Sequence, residues 1–252
     1  MEMSVQSRET RIERFQRRRL EEASALIARI TPSEEALMSL WAAVGKMERL
    51  LPDSNFMRAV YFGSARISDP SHPIYQETKY LSGELARLFK MDCVTGGGPS
   101  LMAAASEGAA LSGEDDIIVH GACIEQVNRD EKPNPFLMKS FTHQVFPTRL
   151  HQFAIQGRRG IFIGLRAAGI GTLLETVLIW NLLQVAHVAG CPLVGIGVFY
   201  DDLKEVLRKH MVPNGTANDA EIDILQVVYH VDDVIPIAAK AHKEFVSLKL
   251  AG

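Results

Sequence analysis

From Arg58 onward the chain alternates short apolar runs with longer stretches in which apolar residues recur every three or four positions. The runs Ala59-Val60-Tyr61-Phe62, Asp92-Cys93-Val94-Thr95, Ile117-Ile118-Val119-His120, Gly160-Ile161-Phe162-Ile163, Pro192-Leu193-Val194-Gly195-Ile196 and Val227-Val228-Tyr229-His230 predict strands. Most are continuous rather than alternating, as strands covered on both faces should be. Helical spacing fills the intervals at about 75–90, 100–112, 148–157, 172–187, 202–210 and 232–246. Strand and helix in repeated alternation predict an α/β fold: a doubly wound, Rossmann-like, mostly parallel sheet with helices on both faces.

The pattern before Arg58 differs. Residues 8–22 are dense in both signs of charge, with Ile12, Phe15 and Leu20 as apolar anchors, and read as a surface helix. Thr31-Pro32-Ser33-Glu34 has the form of a helix start, and Leu37, Leu40, Trp41, Val44, Met47 and Leu51 follow at helical spacing. The expected organisation is a helical extension over 1–55 and a nucleotide-binding domain over 56–252. Within the latter, Leu178, Ile179, Trp180, Leu182, Leu183 and Val185 make a helix apolar nearly all round. Such a helix must be covered by the sheet edge or by another subunit.

Composition changes this picture little. A net charge of -3 gives no general attraction to nucleic acid or anionic membranes, so small molecules are the expected partners. The Arg17-Arg18-Arg19 run is interleaved with Glu13, Glu21 and Glu22 and reads as a solvated or subunit-facing helix. Cys93, Cys123 and Cys191 lie in or beside apolar runs without metal-ligand spacing, which predicts buried thiols in a reducing compartment and no metal. There is no apolar leader at the N-terminus and no apolar stretch of membrane-spanning length, so a soluble cytoplasmic protein with no membrane partner is expected. His120, His143 and His151 show no metal-like spacing, and the pairs Asp115-Asp116, Asp201-Asp202 and Asp232-Asp233 read as caps.

Candidate chemistry lies where strands end. Gly63-Ser64-Ala65-Arg66, Thr95-Gly96-Gly97-Gly98-Pro99-Ser100 and the segment from Gly164 to Gly169-Ile170-Gly171-Thr172 each follow a predicted strand. In an open parallel sheet all three turns reach the same rim, where ligands bind. Glycines admit close approach of an anion, and the amides of a following helix N-terminus supply donors and positive partial charge. Neither the Gly-x-Gly-x-x-Gly fingerprint nor the Gly-x-x-x-x-Gly-Lys-Ser/Thr loop is present, so a monophosphate suits these turns better than a dinucleotide or a triphosphate.

These blocks, with Leu101-Met102, Phe146-Pro147-Thr148-Arg149 and Leu173-Leu174-Glu175, resemble the Lonely Guy (LOG) family over about residues 58–235. That family is described as "lysine decarboxylase-like" and includes nucleotide 5'-monophosphate phosphoribohydrolases. Its signature reads Pro-Gly-Gly-x-Gly-Thr-x-x-Glu, against Ala167-Ala168-Gly169-Ile170-Gly171-Thr172-Leu173-Leu174-Glu175 here. Its earlier block ends Pro-Gly-Leu-Met-Glu, where this chain has Ser100 for the glycine and Ala103 for the glutamate, and its Arg-Lys pair is Arg149-Leu150. An alanine at 168 costs on the order of 1 kcal/mol if the backbone there has positive φ, and little otherwise. Ser100 is suited to a helix start.

The resemblance implies hydrolysis of the N-glycosidic bond of an AMP-like nucleoside monophosphate, without a cofactor, to free base and ribose 5-phosphate. Glu175 is implied as the carboxylate that stabilises an oxocarbenium-like transition state and directs water, and Arg149 as its partner or as a phosphate or base ligand. Gly169, Gly171 and Thr172 are implied as phosphate donors, Gly96, Gly97, Gly98 and Met102 as the other side of the cleft, and Ser64 and Arg66 as further contacts. Because of Ala167, Ala168 and Ala103, a non-catalytic nucleotide-binding protein of the same fold stays open as the alternative. A homodimer or higher oligomer is expected in either case. Lysine decarboxylation is not: no lysine lies between Lys139 and Lys204 to carry pyridoxal phosphate.

Overall fold

The computed structural model describes residues 55–125, 132–144 and 146–251, all within the compact unit Leu51–Gly252. The helical extension expected over 1–55, with its arginine run and amphipathic helix, lies outside the described residues apart from Asn55.

Seven strands form one sheet: β1 (Arg58–Phe62), β2 (Asp92–Thr95), β3 (Val119–Ile124), β4 (Lys139–His143), β5 (Ile161–Gly164), β6 (Leu193–Ile196) and β7 (Leu225–Val228). Every pairing is parallel, in the order β4-β3-β2-β1-β5-β6-β7. The helices are α1 (Pro73–Phe89), α2 (Leu101–Ala110), α3 (Phe146–Gly157), α4 (Ile170–Gln184), α5 (Val198–Met211), the short α6 (Asp219–Ile222) and α7 (Val234–Ala251). The doubly wound α/β fold is therefore present as expected.

Alternation along the buried strands feeds two cores. Ala59 and Tyr61 of β1, Cys93 of β2 and Ile161 and Ile163 of β5 enter the core beneath α1, α2 and α7. Val60, Phe62, Val94 and Phe162 enter the opposite core with Phe153, Ile179, Trp180 and Tyr200 of α3, α4 and α5. Both sets are apolar, so the sequence pattern reads as continuous although the side chains alternate. The chain winds outward from β1 to β4, then returns to start β5 on the other flank of β1. That reversal opens a crevice beyond the carboxyl ends of β1 and β5.

Three strands depart most from the expected ones, and the short helix α6 was not expected. β4, Lys139-Ser140-Phe141-Thr142-His143, is an edge strand whose first four residues are exposed, so it lacks the apolar signature of its neighbours. β3 begins at Val119 rather than Ile117, because the Ile118 amide donates to the Asp92 carboxylate at 2.8 Å, and it continues to Ile124 between β2 and β4. β7 ends at Val228; Tyr229 and His230 lead into a single 3-10 turn, Val231–Asp233. All three cysteines are buried and unbridged. Among the described residues no helix is long and apolar enough to cross a membrane, and no group of three metal-ligating side chains occurs.

Candidate active site

The β5–α4 turn and the β1–α1 loop face each other across a cavity of about 530 Å³ at the switch point. Ser64, Arg66, Met102, Arg149, Gly169, Gly171, Thr172 and Glu175 all line it, so eight of the residues singled out in the sequence share one cavity. The first intrahelical bond of α4 runs from the Leu173 amide to the Gly169 carbonyl at 2.9 Å. The amides of Ile170, Gly171 and Thr172 precede it and have no acceptor within the helix. They are donors at the positive end of the helix dipole, on the wall of the cavity.

Glu175 stands in the second turn of α4, 6% exposed, and Arg149 on α3 is 8% exposed. The Arg149 Nη2 to Glu175 Oε1 distance is 3.4 Å. The guanidinium is fixed elsewhere too: its Nε donates to the Ala122 carbonyl at 2.9 Å, and its carbon lies 5.4 and 5.3 Å from the ring centres of Phe146 and Phe153. Burial pushes the Glu175 carboxyl up from the ordinary 4.5 to about 7, while the Arg149 charge pulls it down. A carboxyl so placed exchanges protons near neutrality, which is what acid–base chemistry at that pH requires.

Behind Arg149, His143 fixes the start of α3. Its Nδ1 meets the Thr148 hydroxyl at 2.9 Å and its Nε2 meets the Gln152 side-chain oxygen. Burial lowers its pKa, so it is a satisfied core histidine, as its lack of metal-like spacing suggested.

Gly96, Gly97 and Gly98 do not reach the cavity wall, contrary to expectation. A methyl group on Gly96 would fall 2.1 Å from Arg149 Nη2 and 2.7 Å from Met102 Sδ, so this glycine makes room for the site's cation from behind. The carbonyls of Gly97 and Gly98 each accept from Asn134 Nδ2 at 3.1 Å. Phe199, at the start of α5, lines the cavity and was missed in the sequence because the predicted helix there began only at 202. Its one signal is Gly197, which follows β6 at the functional rim.

A profile of the family described as "Possible lysine decarboxylase" matches residues 102–237. The chain belongs to this LOG-like family. The molybdenum cofactor binding protein of Rippkaea orientalis is 15% identical, with a TM-score of 0.52 over 74% of this chain and 98% of that one. The molybdenum cofactor carrier protein of Chlamydomonas reinhardtii is 15% identical, with a TM-score of 0.53 over 73% and 98%. At that identity they share the fold. No curated protein sequence matches the chain. The family's descriptive name does not suit this cavity: pyridoxal phosphate needs a lysine, and none is among the described residues lining it.

The departures from the LOG-like signature have structural consequences. Positive φ occurs at Ala167 (59°) and not at Ala168, so Ala168 adds a methyl group to the cavity wall without that strain. A proline, with φ held near -65°, does not fit the backbone of Ala167, and this turn has its own path. Ser100 takes φ 67° and ψ -130°, a conformation suited to the family's glycine. Its hydroxyl makes no cap and donates instead to the Ile67 carbonyl at 2.5 Å. Ser100→Ala keeps the strain and loses the bond, whereas Ser100→Gly relieves the strain. In thermal or urea unfolding the alanine variant is expected to be about 1 kcal/mol less stable than the glycine variant.

Proposed function

We propose that the protein hydrolyses the N-glycosidic bond of nucleoside 5'-monophosphates, releasing free base and ribose 5-phosphate. The observation that carries this reading is the buried Arg149–Glu175 pair, 3.4 Å apart, on the wall of a cavity that opens at the N-terminus of α4. In this reading the 5'-phosphate sits on the amides of Ile170, Gly171 and Thr172, with Arg66 at the rim. The ribose then lies over Glu175. As the bond to the base lengthens, positive charge grows on the sugar and the ionised carboxylate stabilises it, then takes a proton from the attacking water. Arg149 keeps part of the Glu175 population ionised at neutral pH and fixes its orientation. Phe146 and Phe199 supply aromatic surface for the base.

Incubation with AMP, GMP, CMP and UMP, followed by chromatography, tests the proposal: free base and ribose 5-phosphate are expected with at least one. Protein that binds a nucleotide and releases no product from any would overturn it. The left-handed Ala167 and the absence of a carboxylate at Ala103 favour a second reading, a nucleotide-binding protein without turnover. By their descriptions, the Rippkaea orientalis and Chlamydomonas reinhardtii proteins bind or carry a cofactor. On that reading nucleotides raise Tm without product.

The expected partner is a second copy of the chain. Thr176, Ile179 and Trp180 turn one face of α4 to the core, which leaves Ile170 84%, Leu174 46% and Val177 42% exposed on another face. These three apolar residues lie at i, i+4 and i+7 beside the cavity mouth, a stripe suited to a subunit interface. A Leu174→Glu, Val177→Glu double variant is expected to sediment as a monomer where the wild type sediments as a dimer.

A further inference from the structure

Tyr200 is the largest polar side chain beneath the site that the proposed reaction leaves unused. It lies in the first turn of α5 with no exposed surface, and its ring rests on Gly164 and Gly195, paired residues at the ends of β5 and β6. A methyl group on Gly164 would come within 2.4 Å of the phenol oxygen, and one on Gly195 within 2.4 Å of Cγ. Both glycines thus clear the space that this ring fills.

The hydroxyl is bonded to the backbone of the turn. It donates to the Leu165 carbonyl at 3.1 Å, at the point where the chain leaves β5. Leu165 opens the turn that carries Gly169, Ile170, Gly171 and Thr172 and leads into the helix of Glu175. The same ring also packs edge-on against Phe199 of the cavity wall, with centres 5.1 Å apart. A phenylalanine would fill the volume equally well, and burying a hydroxyl is unfavourable unless it is bonded, so the hydroxyl points to a role beyond packing.

We infer that Tyr200 is a positioning residue for the β5–α4 turn: its buried hydroxyl holds the turn's entry at Leu165 while its ring packs on Phe199 of the cavity wall, and so sets the anion-binding amides and Glu175 in place. This rests on the proposed reading of the cavity as a sugar-phosphate site. Without the hydroxyl the Leu165 carbonyl loses its donor and the turn can relax while the ring stays packed.

Tyr200→Phe in the full chain is the test, with ribose 5-phosphate as the calorimetric probe at 25 °C. The Kd is expected to rise about tenfold, a change that a merely structural hydroxyl would not cause in protein that remains folded. Amides from Arg166 to Leu173 are expected to exchange hydrogen about tenfold faster, with those of β1 unchanged. Gly164→Ala, whose methyl displaces the hydroxyl, is expected to give the same loss. Unaltered affinity and unaltered exchange in Tyr200→Phe overturn the inference. If the wild type binds no ribose 5-phosphate, the reading of the cavity fails, and the exchange comparison alone decides the role of Tyr200.

Discussion

Glu175→Gln is expected to lower kcat about a thousandfold while leaving nucleotide affinity within a few-fold of wild type. The amide keeps the shape of the carboxyl and loses the negative charge that the transition state needs, and a positioned acid–base group contributes about 100- to 10,000-fold. The same substitution has a stability signature. Folding raises the Glu175 pKa from 4.5 to about 7, because burial disfavours the ionised form more than Arg149 favours it. A carboxyl raised in this way binds its proton more tightly when folded. Its favourable contribution is complete below pH 4.5 and is lost as pH rises through about 7. Glutamine cannot ionise, so the stability of the variant relative to wild type should improve across that window, by up to roughly 3 kcal/mol. Urea unfolding at pH 5 and pH 8.5 measures the difference, and rapid-quench turnover measures kcat. A variant that keeps its activity, or whose relative stability is the same at both pH values, would show that Glu175 is neither the working carboxylate nor the strained one.

Much of this was legible along the chain because parallel strands at the centre of a sheet must be apolar on both faces. The runs at Ala59–Phe62 and Gly160–Ile163 announced themselves, and the glycine-rich segments after them fell on one rim as the fold requires. The edge strand β4 did not, since a strand exposed along most of its length needs no apolar pattern. Glycine was also an ambiguous signal. Gly169 and Gly171 do border the cavity, whereas Gly96 is small so that Arg149 can pass behind it, and Gly164 and Gly195 are small so that Tyr200 can lie on them. Sequence shows that a side chain is missing but not which neighbour occupies its place. The Arg149–Glu175 pairing joins residues 26 positions apart on two helices, and it was implied by family resemblance rather than by spacing.

Arg149→Met should be the more revealing change, because it separates the charge of the guanidinium from its volume. The variant removes the counter-charge 3.4 Å from Glu175 and leaves the Ala122 carbonyl without its donor, while a long apolar side chain keeps contact with Phe146 and Phe153. Arg149 lowers the Glu175 pKa, so its loss lets desolvation act alone and the pKa climbs above about 7. The acid limb of the kcat profile is therefore expected to move to higher pH, with activity at pH 7 down at least about a hundredfold and partly recovered by raising the pH. Stability follows the same charge: breaking a buried pair costs about 3–5 kcal/mol while the remaining partner is ionised, and much less once it is neutral. The deficit of Arg149→Met should thus be large at pH 8.5 and small at pH 5. Adding Glu175→Gln should remove most of that pH dependence, because no buried carboxylate then remains, and the two effects on stability should be far from additive. A profile whose acid limb stays in place, together with additive stabilities, would mean that the two side chains share the cavity without acting on one another.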